Sequence, residues 1–252
     1  MIGIFDSGSG GLTVLRAIRN RLPSSDFLYF GDIRNAPYGE KSREELSRLT
    51  INGIRVLQAR GATSIVSACN SVSASLAISL FDSLGLAQQN LIEMVGPTVN
   101  YFKDFKKPVL LAATPATILS ELYQSAFRML GIEIDTIAIP KLAGAIEFGV
   151  SAADQERLIA AAFATYDMQK YGALILACTH YPLSLASFRK VLGDIPFFDP
   201  AEAVAARVKR QLWPQEVGDG KLRLLVSEDT PHFRAHVAKL LPDASYVIEV
   251  VE

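Results

Sequence analysis

Cysteine is scarce in this 252-residue chain: there are two, Cys69 and Cys178. Two cysteines cannot build a disulfide framework at this length, and without a Cys-x-x-Cys spacing they form no dithiol redox motif. A reducing, cytoplasmic setting is the expectation. Histidine is also sparse, with three residues. Three histidines and two distant cysteines give no zinc-ligand spacing, so no metal is expected. No stretch approaches the roughly 18 consecutive apolar residues of a membrane span. The opening Met1-Ile2-Gly3-Ile4-Phe5-Asp6 lacks the basic-then-apolar form of a signal peptide and reads as a buried strand. Neither sign of charge dominates: 25 basic residues stand against 26 acidic ones, for a net charge of −1. The basic residues are scattered, which argues against nucleic acid or an anionic membrane as partner.

What is present is hydrophobic pattern. Half the residues are hydrophobic, and strand-like runs alternate with helix-like ones, the pattern of an α/β fold with mainly parallel sheets. Strands are predicted at 2–5, 27–30 and 64–68. Leu12, Leu15, Ile18 and Leu22 fall at helical spacing between the first two. Ser42 and Glu45 form a capping box for a helix that Gly61 should end. The same order recurs about 107 residues on, the offset of Thr114 from Ser7. Strands are predicted at 108–113, 135–139 and 173–177, and a mostly helical stretch at 151–171. Ser7 to Asp32 is 25 positions and Thr114 to Pro140 is 26. Ser7 to Cys69 is 62 and Thr114 to Cys178 is 64. Both cysteines follow an alanine at the end of an apolar strand.

These matches predict a structural duplication: two similar α/β domains related by a pseudo-twofold axis, with the active site in the cleft between them. The predicted boundaries give residues 1–95 and 200–252 to the first domain and 96–199 to the second, the segments 223–226 and 246–251 returning to the first. Ligands of open parallel sheets bind outside the carboxyl ends of the strands. Asp6-Ser7, Cys69, Thr114 and Cys178 all fall there, so the two thiols should face each other across one cleft. A lone cysteine at a strand end is ordinarily packing; two at equivalent places, each flanked by polar residues, point to chemistry.

A free thiol is a poor base near neutral pH without help. Each cysteine precedes a predicted helix start, which favours a thiolate, and His180 and Asp6 can exchange protons with the pair. Two thiols on opposite walls suit removal of an α-proton from one face of a substrate and return of a proton to the other. Ser7, Gly39, Asn70, Ser71, Thr114, Thr117 and Thr179 offer neutral donors for the carboxylate whose charge must be held. The run from Ser7 to Gly11 lacks the full spacing and lysine of a phosphate-binding loop. Tyr38, within Pro37-Tyr38-Gly39, is read as a turn residue contributing its backbone. His232 and His236 are read as structural. A non-catalytic binding module on the same scaffold stays open, and so does a related enzyme with a different substrate preference.

The motifs resemble those of the glutamate racemases. The resemblance runs from Phe5-Asp6-Ser7-Gly8-Ser9-Gly10-Gly11, through Tyr29-Phe30-Gly31-Asp32 and Pro37-Tyr38-Gly39-Glu40, to Ala68-Cys69-Asn70-Ser71 and Ala177-Cys178-Thr179-His180-Tyr181-Pro182. It implies cofactor-independent interconversion of L- and D-glutamate, the D-isomer serving peptidoglycan synthesis, by a cytoplasmic homodimer. It assigns acid/base roles to Cys69 and Cys178 with Asp6 and His180 as auxiliaries. It gives substrate contacts to Asp6, Ser7, Tyr38, Gly39, Asn70, Ser71, Thr179 and His180. It has the thiol at Cys69 deprotonate the D-isomer and that at Cys178 the L-isomer. The chain departs from the family pattern at Val72, where alanine is usual and extra bulk near the site is expected, and at Ala177, where glycine is usual. Glu147 is retained although the Cys-Pro stretch often found before it is not.

Overall fold

The computed structural model describes residues 1–75 and 84–251. The first sheet is entered through β1 (Ile2–Asp6), α1 (Leu12–Arg21), β2 (Phe27–Gly31), α2 (Arg43–Ala59), β3 (Ser64–Ser67), α3 (Asn70–Ser75) and β4 (Leu91–Ile92). The second is built by α4 (Val95–Tyr101), β5 (Val109–Ala113), α5 (Pro115–Leu119), α6 (Leu122–Met129), β6 (Ile134–Ala138), α7 (Leu142–Glu147), α8 (Ala152–Phe163), β7 (Ala173–Ala177), α9 (Leu185–Leu192) and β8 (Phe197–Phe198). The chain then returns through α10 (Ala201–Leu212), β9 (Leu222–Val226), α11 (Pro231–Leu240) and β10 (Val247–Val250).

Local signals set several of these limits. Ser42 accepts a hydrogen bond from the Glu45 amide and α2 begins at the next residue. It ends where Gly61 takes a φ of +91°, a left-handed conformation that closes the helix with Ala62 N–H donating back to Leu57 O. The helix predicted across 151–171 stops earlier, at Phe163. Asp167 accepts from the Gln169 amide and turns 168–170 into a short 3₁₀ segment; such side-chain bonds compete with helical ones.

Both sheets are parallel throughout, with strand orders β10-β9-β2-β1-β3-β4 and β6-β5-β7-β8. The run β2-β1-β3-β4 repeats as β6-β5-β7-β8. Registers repeat too: Ile2 pairs with Phe27 and Val109 with Ile134, an offset of 25 in each half. Ile2 pairs with Ser64 and Val109 with Ala173, offsets of 62 and 64. The duplication read from spacing is thus present as two α/β halves. β9 and β10 extend the first sheet beyond β2.

The central strands of each sheet are buried on both faces. Ile2 and Ile4 pack toward α1, α10 and α11, while Phe5 points to the other face, under α2. The Phe5 ring stacks on Phe30 at 5.7 Å and meets Tyr38 edge-on at 6.3 Å. Gly53 of α2 lies directly above it: a Cβ there would stand 2.4 Å from two Phe5 ring carbons. Alanine would gain about 1 kcal/mol of helix propensity, but Phe5 is wedged between two aromatic rings and cannot retreat, and overpacking of this kind costs about 1–3 kcal/mol. Gly53→Ala is therefore expected to destabilise the protein by up to about 2 kcal/mol in urea unfolding; a gain in stability would show that the ring yields.

Candidate active site

Parallel pairing delivers the carboxyl ends of β1, β3, β5 and β7 to facing edges of the two sheets. Ser7 follows β1, Cys69 lies two residues past β3, Thr114 follows β5 and Cys178 follows β7. These four residues line one cavity together with Tyr38, Gly39, Asn70, Ser71, Thr179 and His180. Every substrate contact expected from the sequence is at this wall except Asp6, which is wholly buried and lies off the lining. The cavity is closed down to about 10 Å³, room for little more than one water, so entry of an amino acid requires its walls to move apart.

The two thiols sit in unlike surroundings. Cys69 Sγ donates to Ser7 Oγ at 3.6 Å. Burial pushes its pKa up to about 12 and the nearby Asp6 carboxylate adds to the rise, while the Val72 amide and Ser7 pull the other way and lose. The helix start at α3 is present as predicted, but its pull toward a thiolate is outweighed by desolvation. Cys178 differs again. No α-helix begins behind it: Tyr181–Ser184 form a 3₁₀ turn, with Tyr181 N–H donating to Cys178 O, and α9 starts only at Leu185. Its support is His180, whose Nδ1 lies 3.9 Å from Cys178 Sγ.

His180 is 2% exposed, and its Nε2 is 2.5 Å from Glu147 Oε2. Burial alone would lower the imidazole pKa, yet the bonds to Cys178 and Glu147 together raise it well above 6.5 and favour the imidazolium. Burial likewise disfavours the Glu147 carboxylate, but His180 and the amide and hydroxyl of Ser9 bring it down to about 2. Ser9 donates both groups to the same oxygen, Oε2, at 2.9 and 2.7 Å. Gly8 makes this approach possible, since a Cβ there would fall 2.6 Å from that oxygen. Asp6 accepts from the Gly8 amide at 2.9 Å and from Thr179 Oγ1 at 3.1 Å. Burial raises the Asp6 carboxyl pKa against the pull of His180 and the Gly8 and Gly11 amides.

The remaining wall is neutral. Ser71, Thr114 and Thr117 hydroxyls form a triangle with edges of 3.0, 3.1 and 3.4 Å. Asn70 Oδ1 accepts from Tyr123 OH, and its Nδ2 is buried with no protein partner. Tyr38 does more than lend its backbone: its buried ring lies on Phe5 and its hydroxyl donates to Asp32, which also receives Asn35. Asp32 therefore braces the 38–40 turn. Gly39 rests on Thr114, where a Cβ would come within 2.5 Å. Val72 packs into the core beneath α2 and stays off the cavity wall, so its bulk does not enter the site as expected.

Sequence reasoning missed three members of this network. The sequence marks Glu147 only as a retained residue, places Ser9 within the glycine-containing run and gives His236 no role beyond structure. His236 Nδ1 in fact lies 2.7 Å from Ser9 Oγ. The sole signal in the chain was a hydroxyl set between glycines at Gly8-Ser9-Gly10.

Residues 9–208 match the model of the Asp/Glu/hydantoin racemase family. The chain is 32% identical to the glutamate racemase of Aquifex pyrophilus, covering 100% of this chain and 97% of that one. It is 36% identical to that of Koribacter versatilis, over 84% and 74%. Among solved structures, glutamate racemase from Francisella tularensis with D-glutamate superposes with a TM-score of 0.87 at 29% identity, covering 100% of this chain and 97% of that one. An isoform from Bacillus anthracis gives 0.87 at 27%, with the same coverage.

The buried pair has a pH signature. A Glu147 pKa of about 2 in place of the ordinary 4.5 contributes stability that is present above pH 4.5 and lost as pH falls toward 2. The raised His180 pKa contributes stability that is present below pH 6.5 and lost as pH rises through its folded value. Glu147→Gln should lower stability at pH 7 and flatten both limbs, read from urea midpoints between pH 2 and 9. Limbs parallel to wild type would mean that Glu147 is not ionised against His180.

Proposed function

The chain belongs to the Asp/Glu/hydantoin racemase family, and on that premise we propose that it interconverts L- and D-glutamate without a cofactor, through Cys69 and Cys178 as paired acid and base. The observation that carries this reading is the placement of both thiols on one small cavity, each just past the third strand of its half.

The unlike surroundings of the thiols fit a two-base scheme. One thiol must begin ionised and the other protonated. Burial and Asp6 keep Cys69 protonated in the free site, which suits it to donate. Cys178, beside an imidazolium, is suited to remove the α-proton of the L-isomer, and His180 balances the charge as it does so. The proton leaves Cα for Cys178 Sγ while Cys69 delivers its own to the opposite face. The enzyme then holds a Cys69 thiolate and a Cys178 thiol, the state that acts on the D-isomer. Negative charge developing on the substrate carboxylate is met by neutral donors: Asn70 Nδ2, whose hydrogen-bonding capacity is unused by the protein, and the hydroxyls of Ser7, Ser71, Thr114 and Thr179. The closed cavity excludes water, which strengthens those bonds.

In the same reading, residues 1–95 with 200–252 form one lobe and 96–199 the other, and a cytoplasmic homodimer supplies D-glutamate for peptidoglycan. Incubation with L-glutamate in D₂O should yield D-glutamate carrying one α-deuterium, with optical rotation falling to zero. Absence of both racemisation and exchange would remove the proposal. Cys69→Ala and Cys178→Ala should each reduce racemisation by about a thousandfold or more, measured by circular dichroism of the substrate. A variant near wild-type rate would clear that thiol of its role.

A further inference from the structure

The site's hydrogen-bond chain does not end at Glu147. Ser9 Oγ donates to Glu147 Oε2 and also lies 2.7 Å from Nδ1 of His236, a half-buried residue of α11. A hydroxyl has one proton. With that proton on Glu147, the short contact to His236 is attractive only if Nδ1 carries a hydrogen and donates to Ser9. The direction of this arm is then fixed: His236 Nδ1–H to Ser9 Oγ and Ser9 Oγ–H to Glu147 Oε2, the same oxygen that lies against His180 Nε2, with His180 Nδ1 next to Cys178 Sγ. If His236 Nδ1 instead lacked its hydrogen, Ser9 would be free to turn its proton outward and Glu147 would lose one of three donors.

We propose that His236 is a positioning residue: by donating from Nδ1 it sets the rotor of Ser9, and through Ser9 and Glu147 it holds His180 against Cys178. A second contact keeps α11 in place for this task. His232, one turn earlier, packs on Gly149 just past α7, so closely that a Cβ at Gly149 would meet the ring at 2.2 Å. The two histidines thus brace the end of the helix that carries Glu147. The proposal rests on the racemase reading, because it concerns the side of the site that serves Cys178.

Three variants test it, compared with wild type for kcat/KM on both enantiomers and for melting temperature. His236→Leu keeps bulk and removes the donor; it should lower kcat/KM about fivefold to tenfold. The loss must be equal for L- and D-glutamate, since the equilibrium constant between enantiomers is one. His236→Asn places an N–H close to the position of Nδ1 and should recover most of the loss. In a Ser9→Ala background, His236→Leu should have no further effect, because the link is already cut. Melting temperatures of the His236 variants should stay close to wild type. An unaffected His236→Leu, an Asn variant as impaired as Leu, or losses that multiply with Ser9→Ala would each overturn the proposal. A parallel readout separates it from the function itself: ¹⁵N resonances of the His180 ring should move in His236→Leu and return in His236→Asn. If wild type fails to racemise glutamate, the reading of function falls and these spectra alone decide on the relay; unmoved His180 signals reject it.

Discussion

Burial of charge is the constraint around which the site is arranged. A carboxylate or imidazolium taken out of water costs several kcal/mol unless paired and hydrogen-bonded. Glu147 and His180, each about 2% exposed, meet that cost only together and only with Ser9. The donors cross between the halves in both directions. Ser9 of the first half serves Glu147 of the second, while Thr179 of the second serves Asp6 of the first. Each half therefore holds a buried carboxylate that the other helps to satisfy. The bonds that cross the cleft also set the charges beside the two thiols.

The same bonds explain why the thiols, alike in sequence position, differ in surroundings. The strand-end geometry of the two halves is nearly a copy, down to the offset of 25 residues between paired strands. What differs is the residue two places further on or one strand away. Cys178 has a histidine at that distance, whose pKa is raised by Cys178 itself and by Glu147 behind it. Cys69 has Ser71 there, and Asp6 as its nearby charge. A duplicated scaffold thus carries an asymmetric pair, and a reaction needing one acid and one base needs that asymmetry.

Much of this was legible in the chain because it is written in short-range or periodic form. Apolar runs gave the strands, and their repeated spacing gave the duplication, the facing edges and the positions of Cys69, Cys178, Ser7 and Thr114. What failed did so for a physical reason. The helix expected behind Cys178 is replaced by a 3₁₀ turn, whose polar and proline-containing sequence fits either. The expectation of helix-assisted thiolates considered only the local dipole, and burial, a property of the whole fold, overrides it at Cys69. Glu147, Ser9 and His236 are 138 and 89 positions apart along the chain, and no period connects them.

The return of β9 and β10 to the first sheet has a topological consequence. The second sheet is an insertion, entered after β4 and left before α10, and its two ends meet: Tyr101, the last residue of α4, packs its ring 4.4 Å from that of Phe198 in β8. A hundred-residue excursion that had to be closed as a floppy loop would cost about 4 kcal/mol of chain entropy. An excursion that folds on itself with its ends in contact costs little, because β2 and β9 then see each other across a short, stiff link. The inserted half thus acts as a staple for the sheet that surrounds it, returning the chain to where β9 pairs with β2 and β10 with β9.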